Sequence, residues 1–323
     1  PTPTATPLRP PFNLLQNILD NSDLSLALAI NLPIKQFIDL YAISKHFHWE
    51  VNSHLQGYIK AYIAHNAPDT AKIFKWSQYA KSTIYDPAVR PIGIHPAVPL
   101  AFRDRNRTIP ALRWLQKVMH REHVANKIVS LLACEGLRLP HGTTTIIKKI
   151  WFLLEQPTCG QRAATLKDRK SWTDRDLLLA TILFHKLDLR FTDPEHGKGE
   201  PALRTFLLTQ KSLDPMLRVL EGYYSRKDKY TEFVNLILEA FYNEVRHAGM
   251  FDEDDEDDDN EDSEFGALGR EHWYRPCPPL ASPDTMILYE AFAQGLNLQK
   301  FIVDSILWGN ADPRDGGAIP PIR

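Results

Sequence analysis

His120 and His123 stand three residues apart in the run His-Arg-Glu-His. On a helix that spacing turns two imidazoles to one side, where they could share a metal ion. The surroundings oppose it: the run is not His-Glu-x-x-His, no third ligand is indicated, and Lys117 and Arg121 repel a cation. A solvated polar face is the expectation. His46 and His48 project to different sides of a helix and cannot meet on one metal. His185, set in the apolar run LLLATILFHKLDL, reads as a core or boundary histidine rather than a general base. The cysteines, Cys134, Cys159 and Cys277, are odd in number, widely spaced and never in a Cys-x-x-Cys pair. They are expected to be reduced, buried thiols and not a disulfide framework or a zinc knuckle. No Gly-x-Ser-x-Gly elbow, Gly-rich phosphate loop or calcium loop occurs, and the chain holds only 15 glycines. The expectation is therefore a non-enzyme, with no catalytic residue, no metal and no cofactor.

The elements that would position any such residues are helical. In NRTIPALRWLQKVMHREHVANKIVSLLACEG, Leu112, Leu115, Val118, Met119, Ile128, Val129 and Leu132 recur at spacings of three and four. That pattern predicts one long amphipathic helix, with Thr108 as N-cap, Pro110 in the first turn and Gly136 at its end. Further helices are expected over about 145–155, from 171 through DRDLLLATILFHKLDLRF, and over about 201–209, 215–224, 229–245 and 284–308. Asp174 and Asp176 fall in a first turn, where the helix dipole favours carboxylates. No alternating strand pattern competes. The predicted fold class is all-α: a small set of N-terminal helices followed by a larger, irregular helical bundle.

Composition divides this chain of 323 residues, 43% hydrophobic and 24% charged. Residues 1–11 carry five prolines and read as a leader without fixed structure. Residues 12–85 form the N-terminal helical domain, 86–110 a proline-rich connection and 111–246 the helical body. Residues 247–283 form an acidic and proline-rich loop, 284–309 a last helix returning to the body, and 310–323 a tail. The net charge of −2 hides an asymmetry. The segment 252–264, DEDDEDDDNEDSE, holds 11 of the 40 acidic residues, which leaves 38 basic against 29 acidic side chains elsewhere. Its eight consecutive carboxylates repel too strongly to pack, so it reads as a solvated loop or as a partner for a basic surface. The basic remainder keeps nucleic-acid binding open, through RDRNR at 103–107, Lys148 with Lys149, and YYSRKDKY at 223–230. No apolar run is long enough to span a bilayer, and PTPTATPLRPP has neither the basic start nor the apolar centre of a signal peptide. A membrane partner is not expected, and the expected location is the cytoplasm or nucleus.

One stretch suggests a partner. In LPIKQFIDLYAISKHFHWEVNS, Pro33 opens a helix on which Phe37, Leu40, Tyr41, Ser44, Phe47, His48 and Val51 follow at spacings of three or four. By itself this means an apolar helix face that packs on something. The order of residue types resembles the second half of an F-box. Leu32 and Pro33 match its Leu-Pro turn, Phe37 and Leu40 its apolar pair, and Ile43, Ser44 and Lys45 its short signature. Phe47 matches its aromatic and Val51 its last core position. PPFNLLQNIL at 10–19, or alternatively LAINLP at 28–33, resembles its opening. The segments beyond, from KIFKWSQYAK to GKGEPALRTFLLTQKSL, are similar to F-box-like proteins of filamentous fungi. The resemblance implies an adaptor that docks on Skp1 in a cullin-RING ubiquitin ligase while the helical body selects a target. It implies that Phe37, Leu40, Phe47 and Val51 are partly exposed in the free chain; the alternative is that the same face packs on the chain's own helix at Gln56 to His65. A helical scaffold without a ligase role is the alternative. Phe102, Arg103, Arg105, Trp273, Tyr274 and Arg275 are candidates for target contact, because aromatic and arginine residues dominate interface hot spots. Trp114, Trp151, Trp172 and Trp308 lie in apolar helical contexts and read as core.

Overall fold

The computed structural model describes residues 14–86, 108–191, 202–225, 269–273 and 277–300, with single positions within 231–237 and 302–303. The leader 1–11, the acidic run 252–264, the tail 310–323 and most of the helix expected at 229–245 lie outside them. The fold class is all-α. The chain divides into two compact units within one helix, between His120 and Arg121.

The first unit begins with α1 (Leu14–Leu19), α2 (Ser22–Asn31), α3 (Ile34–Ile43), α4 (Lys45–Ser53), α5 (Leu55–Asn66) and α6 (Pro68–Ile73). Their boundaries follow from local chemistry. Asn21 caps α2, its side-chain oxygen accepting from the Asp23 and Leu24 amides at 3.0 and 3.1 Å. Pro33 ends α2, because the residue before a proline is pushed to extended backbone, and Leu32 has φ −81° and ψ 139°. The face expected to run unbroken from Pro33 to Val51 breaks at Ser44, which has extended backbone and caps α4 by accepting from the Phe47 amide at 3.2 Å. The spacing of three to four survives the break only because a single residue joins the two helices. Ser44→Ala is expected to lower stability by about 1 kcal/mol, read as a shift of the urea midpoint at unchanged slope.

A two-stranded antiparallel sheet follows, β1 (Thr83–Tyr85) with β2 (Thr108–Pro110), in the register Thr83 with Pro110, Ile84 with Ile109 and Tyr85 with Thr108. This corrects the expected helix start: Thr108 and Pro110 pair as a strand, and α7 begins at Leu112 and ends at Cys134. Ile109 is buried, and the Trp114 indole N–H donates to the Phe74 carbonyl at 3.0 Å. These contacts explain why the first compact unit reaches past the proline-rich connection to His120.

The second unit holds the rest of α7 with α8 (Thr143–Leu154), α9 (Cys159–Lys167), α10 (Asp174–Phe191), α11 (Ala202–Leu207), α12 (Asp214–Leu220) and α13 (Pro283–Ala293). Gly136 ends α7 with φ +82°, a left-handed turn that lets the Leu137 amide reach the Leu132 carbonyl at 2.8 Å. Thr173 and Asp176 cap α10 reciprocally: the Thr173 amide donates to the carboxylate at 2.8 Å, and the Asp176 amide donates to the Thr173 hydroxyl at 3.3 Å. Trp151, Trp172, Leu154, Leu177, Leu183 and Phe206 are among the residues that fill the core. Trp114 in the first unit and Trp151 and Trp172 here are core residues as expected, while Trp308 lies outside the described residues.

Ion pairs join the helices of this unit. Lys148 is buried and donates to Glu122 at 2.8 Å, Arg121 pairs with Glu155, and Lys149 donates to Asp176 at 2.8 Å. Lys148 and Lys149 were expected as a free basic patch. Lys148 is an interior cation and Lys149 a half-buried one, because α7 and α10 present carboxylates to α8. Two further expectations are corrected. The last helix does not run from 284 to 308: it stops after Ala293, where Gly295 takes φ +74° and caps it. It packs on α10 with Ile287 and Ala291 buried, but Tyr289 and Phe292 are exposed. The thiols are free but not buried, Cys134 being exposed and Cys159 and Cys277 half-buried.

Candidate docking surface

The α3–α4 hairpin has two faces, and the candidate residues divide between them. Phe37 on α3 is 1% exposed, and Phe47 and Val51 on α4 are fully buried. The Phe37 and Phe47 rings meet edge to face at 5.7 Å, Phe37 lies 5.6 Å from Tyr62, and Phe47 meets Tyr58 at 6.2 Å. This overturns the expectation that Phe37, Phe47 and Val51 are partly exposed in the free chain. Helix α5 supplies two tyrosines whose rings close over that face, which is the alternative of packing on the chain's own helix at Gln56 to His65.

Both tyrosine hydroxyls are anchored as well. Tyr58 donates to Ser25 at 3.1 Å, and Tyr62 donates to the Leu32 carbonyl at 2.8 Å. Burial pushes both phenols above their ordinary range; for Tyr58 the nearby Glu50 charge adds to this while the Ser25 bond opposes it. They remain neutral donors, and they tie α5 to α2 and to the residue before Pro33. Leu32 thus has a structural part beyond its place in the Leu-Pro turn.

The other face looks outward. Ile43, the last residue of α3, is 80% exposed, and Trp49, one turn into α4, is 65% exposed. Pro33 and Lys45 are exposed, and Leu40 and Ser44 half-buried. Tyr41 and His48 stack at 4.3 Å, and the Tyr41 hydroxyl donates to Asn52 at 3.1 Å, so the two helices are pinned along one edge without using Trp49. His46 lies on another side, its Nε2 2.9 Å from the Leu19 carbonyl and 3.6 Å from Asp20. The two histidines do point apart. Glu50 is buried and has His54 at 3.5 Å as its ionic neighbour. Trp49 falls off the spacing of three to four, so that pattern does not single it out. The available signal is that same displacement, though Glu50, equally displaced, is buried.

Other candidates separate from this surface. Phe102, Arg103, Arg105, Tyr274 and Arg275 lie outside the described residues. Trp273 is half-buried with the Lys211 ammonium 5.3 Å over its ring, and it shares with His272 a left-handed backbone that is uncommon in non-glycine residues. Of the basic stretches, RDRNR and residues 226–230 lie outside the described residues, and Tyr223 lies under Arg218 at 5.4 Å. His120 and His123 are exposed, and among the described residues no group of three or more His, Cys, Asp or Glu is placed to hold a metal ion. Among those residues, too, no helix is long and apolar enough to cross a membrane.

No protein family, no curated protein and no solved structure matches this chain.

Proposed function

We propose that this chain is a non-catalytic adaptor whose first unit docks a Skp1-like protein through the outward face of the α3–α4 hairpin, with the second unit selecting a target for ubiquitin transfer. The observation that carries the reading is the pair of large apolar side chains, Ile43 and Trp49, held in water on a hairpin whose opposite face is core. Burying such a side chain against a partner is worth about 1.5 to 3 kcal/mol. The F-box-like order of residue types supports the identity of the partner. On this reading Pro33, Ile43 and Lys45 touch Skp1, with Leu32, Leu40 and Ser44 at the edge. Phe37, Phe47 and Val51 serve by fixing the hairpin.

The test is co-purification of the intact chain with Skp1, wild type beside Ile43→Asp/Trp49→Asp. Both positions are exposed, so the variant keeps its far-ultraviolet circular dichroism. Each 1.4 kcal/mol is tenfold in affinity, so loss of the pair weakens the complex by at least about a hundredfold. A folded wild-type chain that forms no complex, or a variant that binds as well as wild type, contradicts the docking reading.

A further inference from the structure

A half-open groove of about 310 Å³ lies in the first unit, away from the residues assigned to Skp1. Helix α5 lines it with Ile59, Lys60 and Ile63, Pro68 of α6 and Trp76 add to its walls, and Trp114 of α7 completes it. The lining is apolar for a local reason. The Trp114 indole N–H, its one donor, is spent on the Phe74 carbonyl, so that wall offers ring carbon alone. Ile59, Ile63 and Trp114 are buried beneath, whereas Trp76 is half-buried and Pro68 exposed, so apolar surface rises to the rim. The single charge in the lining is Lys60, which is exposed. Adjacent in sequence to lining residues stand Lys72, Lys75 and Arg113, against the one carboxylate Asp69, which Lys72 already holds at 3.0 Å. The groove is thus apolar inside with Lys60 in its lining, and the segments that wall it carry more cations than carboxylates.

We infer that this groove binds an acidic peptide segment of a partner protein, taking a bulky apolar side chain against Trp76 and Trp114 while flanking carboxylates meet Lys60 and its neighbours. Charge complementarity selects an acidic partner, and an apolar anchor beside charged flanks gives both affinity and orientation. Nucleic acid fits less well. It needs rows of phosphate contacts and freely exposed aromatic faces for stacking, and here the lining holds one cation, with Trp114 buried and Trp76 half-buried. The inference stands on the groove alone and does not depend on Skp1 docking.

The experiment uses the full chain and a fluorescein-labelled peptide with a central Leu-Phe pair flanked by Asp and Glu, read by fluorescence anisotropy. Three controls accompany it: the same peptide with Asn and Gln for the acids, the same peptide with Ala-Ala for Leu-Phe, and a labelled oligo-dT strand. Saturable binding is expected for the acidic Leu-Phe peptide, weakened by at least about tenfold in each control and in Lys60→Glu, a charge reversal at an exposed position. Trp76→Ala is expected to weaken it as well, and raised salt to reduce it. Ile43→Asp/Trp49→Asp is expected to leave it unchanged, which separates this groove from the docking surface. Absence of saturable binding, equal binding by Lys60→Glu, equal binding of the uncharged or Ala-Ala peptide, or tighter binding of oligo-dT overturns the inference.

Discussion

Replacing Arg162 by alanine is expected to destabilise the second unit more than any other change of a polar residue there. The side chain is 1% exposed, and its guanidinium donates to three backbone carbonyls: Leu154 at 2.9 Å, Ala281 at 2.8 Å and Gln156 at 3.3 Å. Two of these belong to the end and exit of α8, where a helix leaves its last carbonyls without partners. Arg162 therefore serves as a side-chain cap reaching back from α9, and the same fork secures the segment that leads into α13. Burial pushes the guanidinium down to about 10, with the neighbouring Cys159 opposing, so it stays a cation at neutral pH. Each buried carbonyl left unsatisfied costs about 1 to 3 kcal/mol, so Arg162→Ala is expected to cost on the order of 3 to 5 kcal/mol in urea denaturation. Lysine recovers only part of this, because an ammonium is a point donor and cannot match a fork spread over three acceptors. A cost below about 1 kcal/mol would mean that water replaces the three bonds at little expense.

The second large effect lies in the first unit. Phe47 is fully buried between Phe37 and Tyr58, and its helix is joined to α3 by Ser44 alone. Phe47→Ala is expected to cost about 3 to 5 kcal/mol, the usual price of emptying a packed aromatic site. Phe47→Asp is expected to leave the N-terminal helices unfolded, because a carboxylate there would be buried with no partner. Circular dichroism and the urea midpoint read both outcomes. It follows that lost binding in a Phe37 or Phe47 aspartate variant reports a lost fold, whereas Ile43→Asp/Trp49→Asp changes only the surface. If Phe47→Asp melts as wild type does, the hairpin does not pack as described.

How much of this was legible in the sequence differs by element. The course of α7 could be read because its apolar residues repeat for six turns and Gly136 marks the stop. Its first turn could not, because Thr-Ile-Pro satisfies a helix start as well as it satisfies a strand, and pairing with Thr83–Tyr85 decides the matter. That pairing joins residues more than twenty apart, a relation no local pattern carries. The capping of α10 by Thr173 and Asp176 was partly visible in the acidic first turn. Lys148 and Lys149 looked like a basic patch because their carboxylates, Glu122 and Asp176, stand on other helices. The candidate site divided in the same manner. The spacing of Phe37, Phe47 and Val51 correctly marked one apolar face, but spacing cannot say whether a face meets its own chain or a partner. Tyr58 and Tyr62 of α5 answer that. The outward residues, Ile43 and Trp49, are what remains after the core has taken its share.

The most direct test of docking through that outward face is amide hydrogen exchange of the intact chain, free and saturated with Skp1. Backbone amides of 40–53 are predicted to gain protection in the complex, while those of α5, already covered by the core, stay unchanged. A complex that forms without added protection in 40–53 would contradict the account, since the partner would then sit elsewhere on the chain.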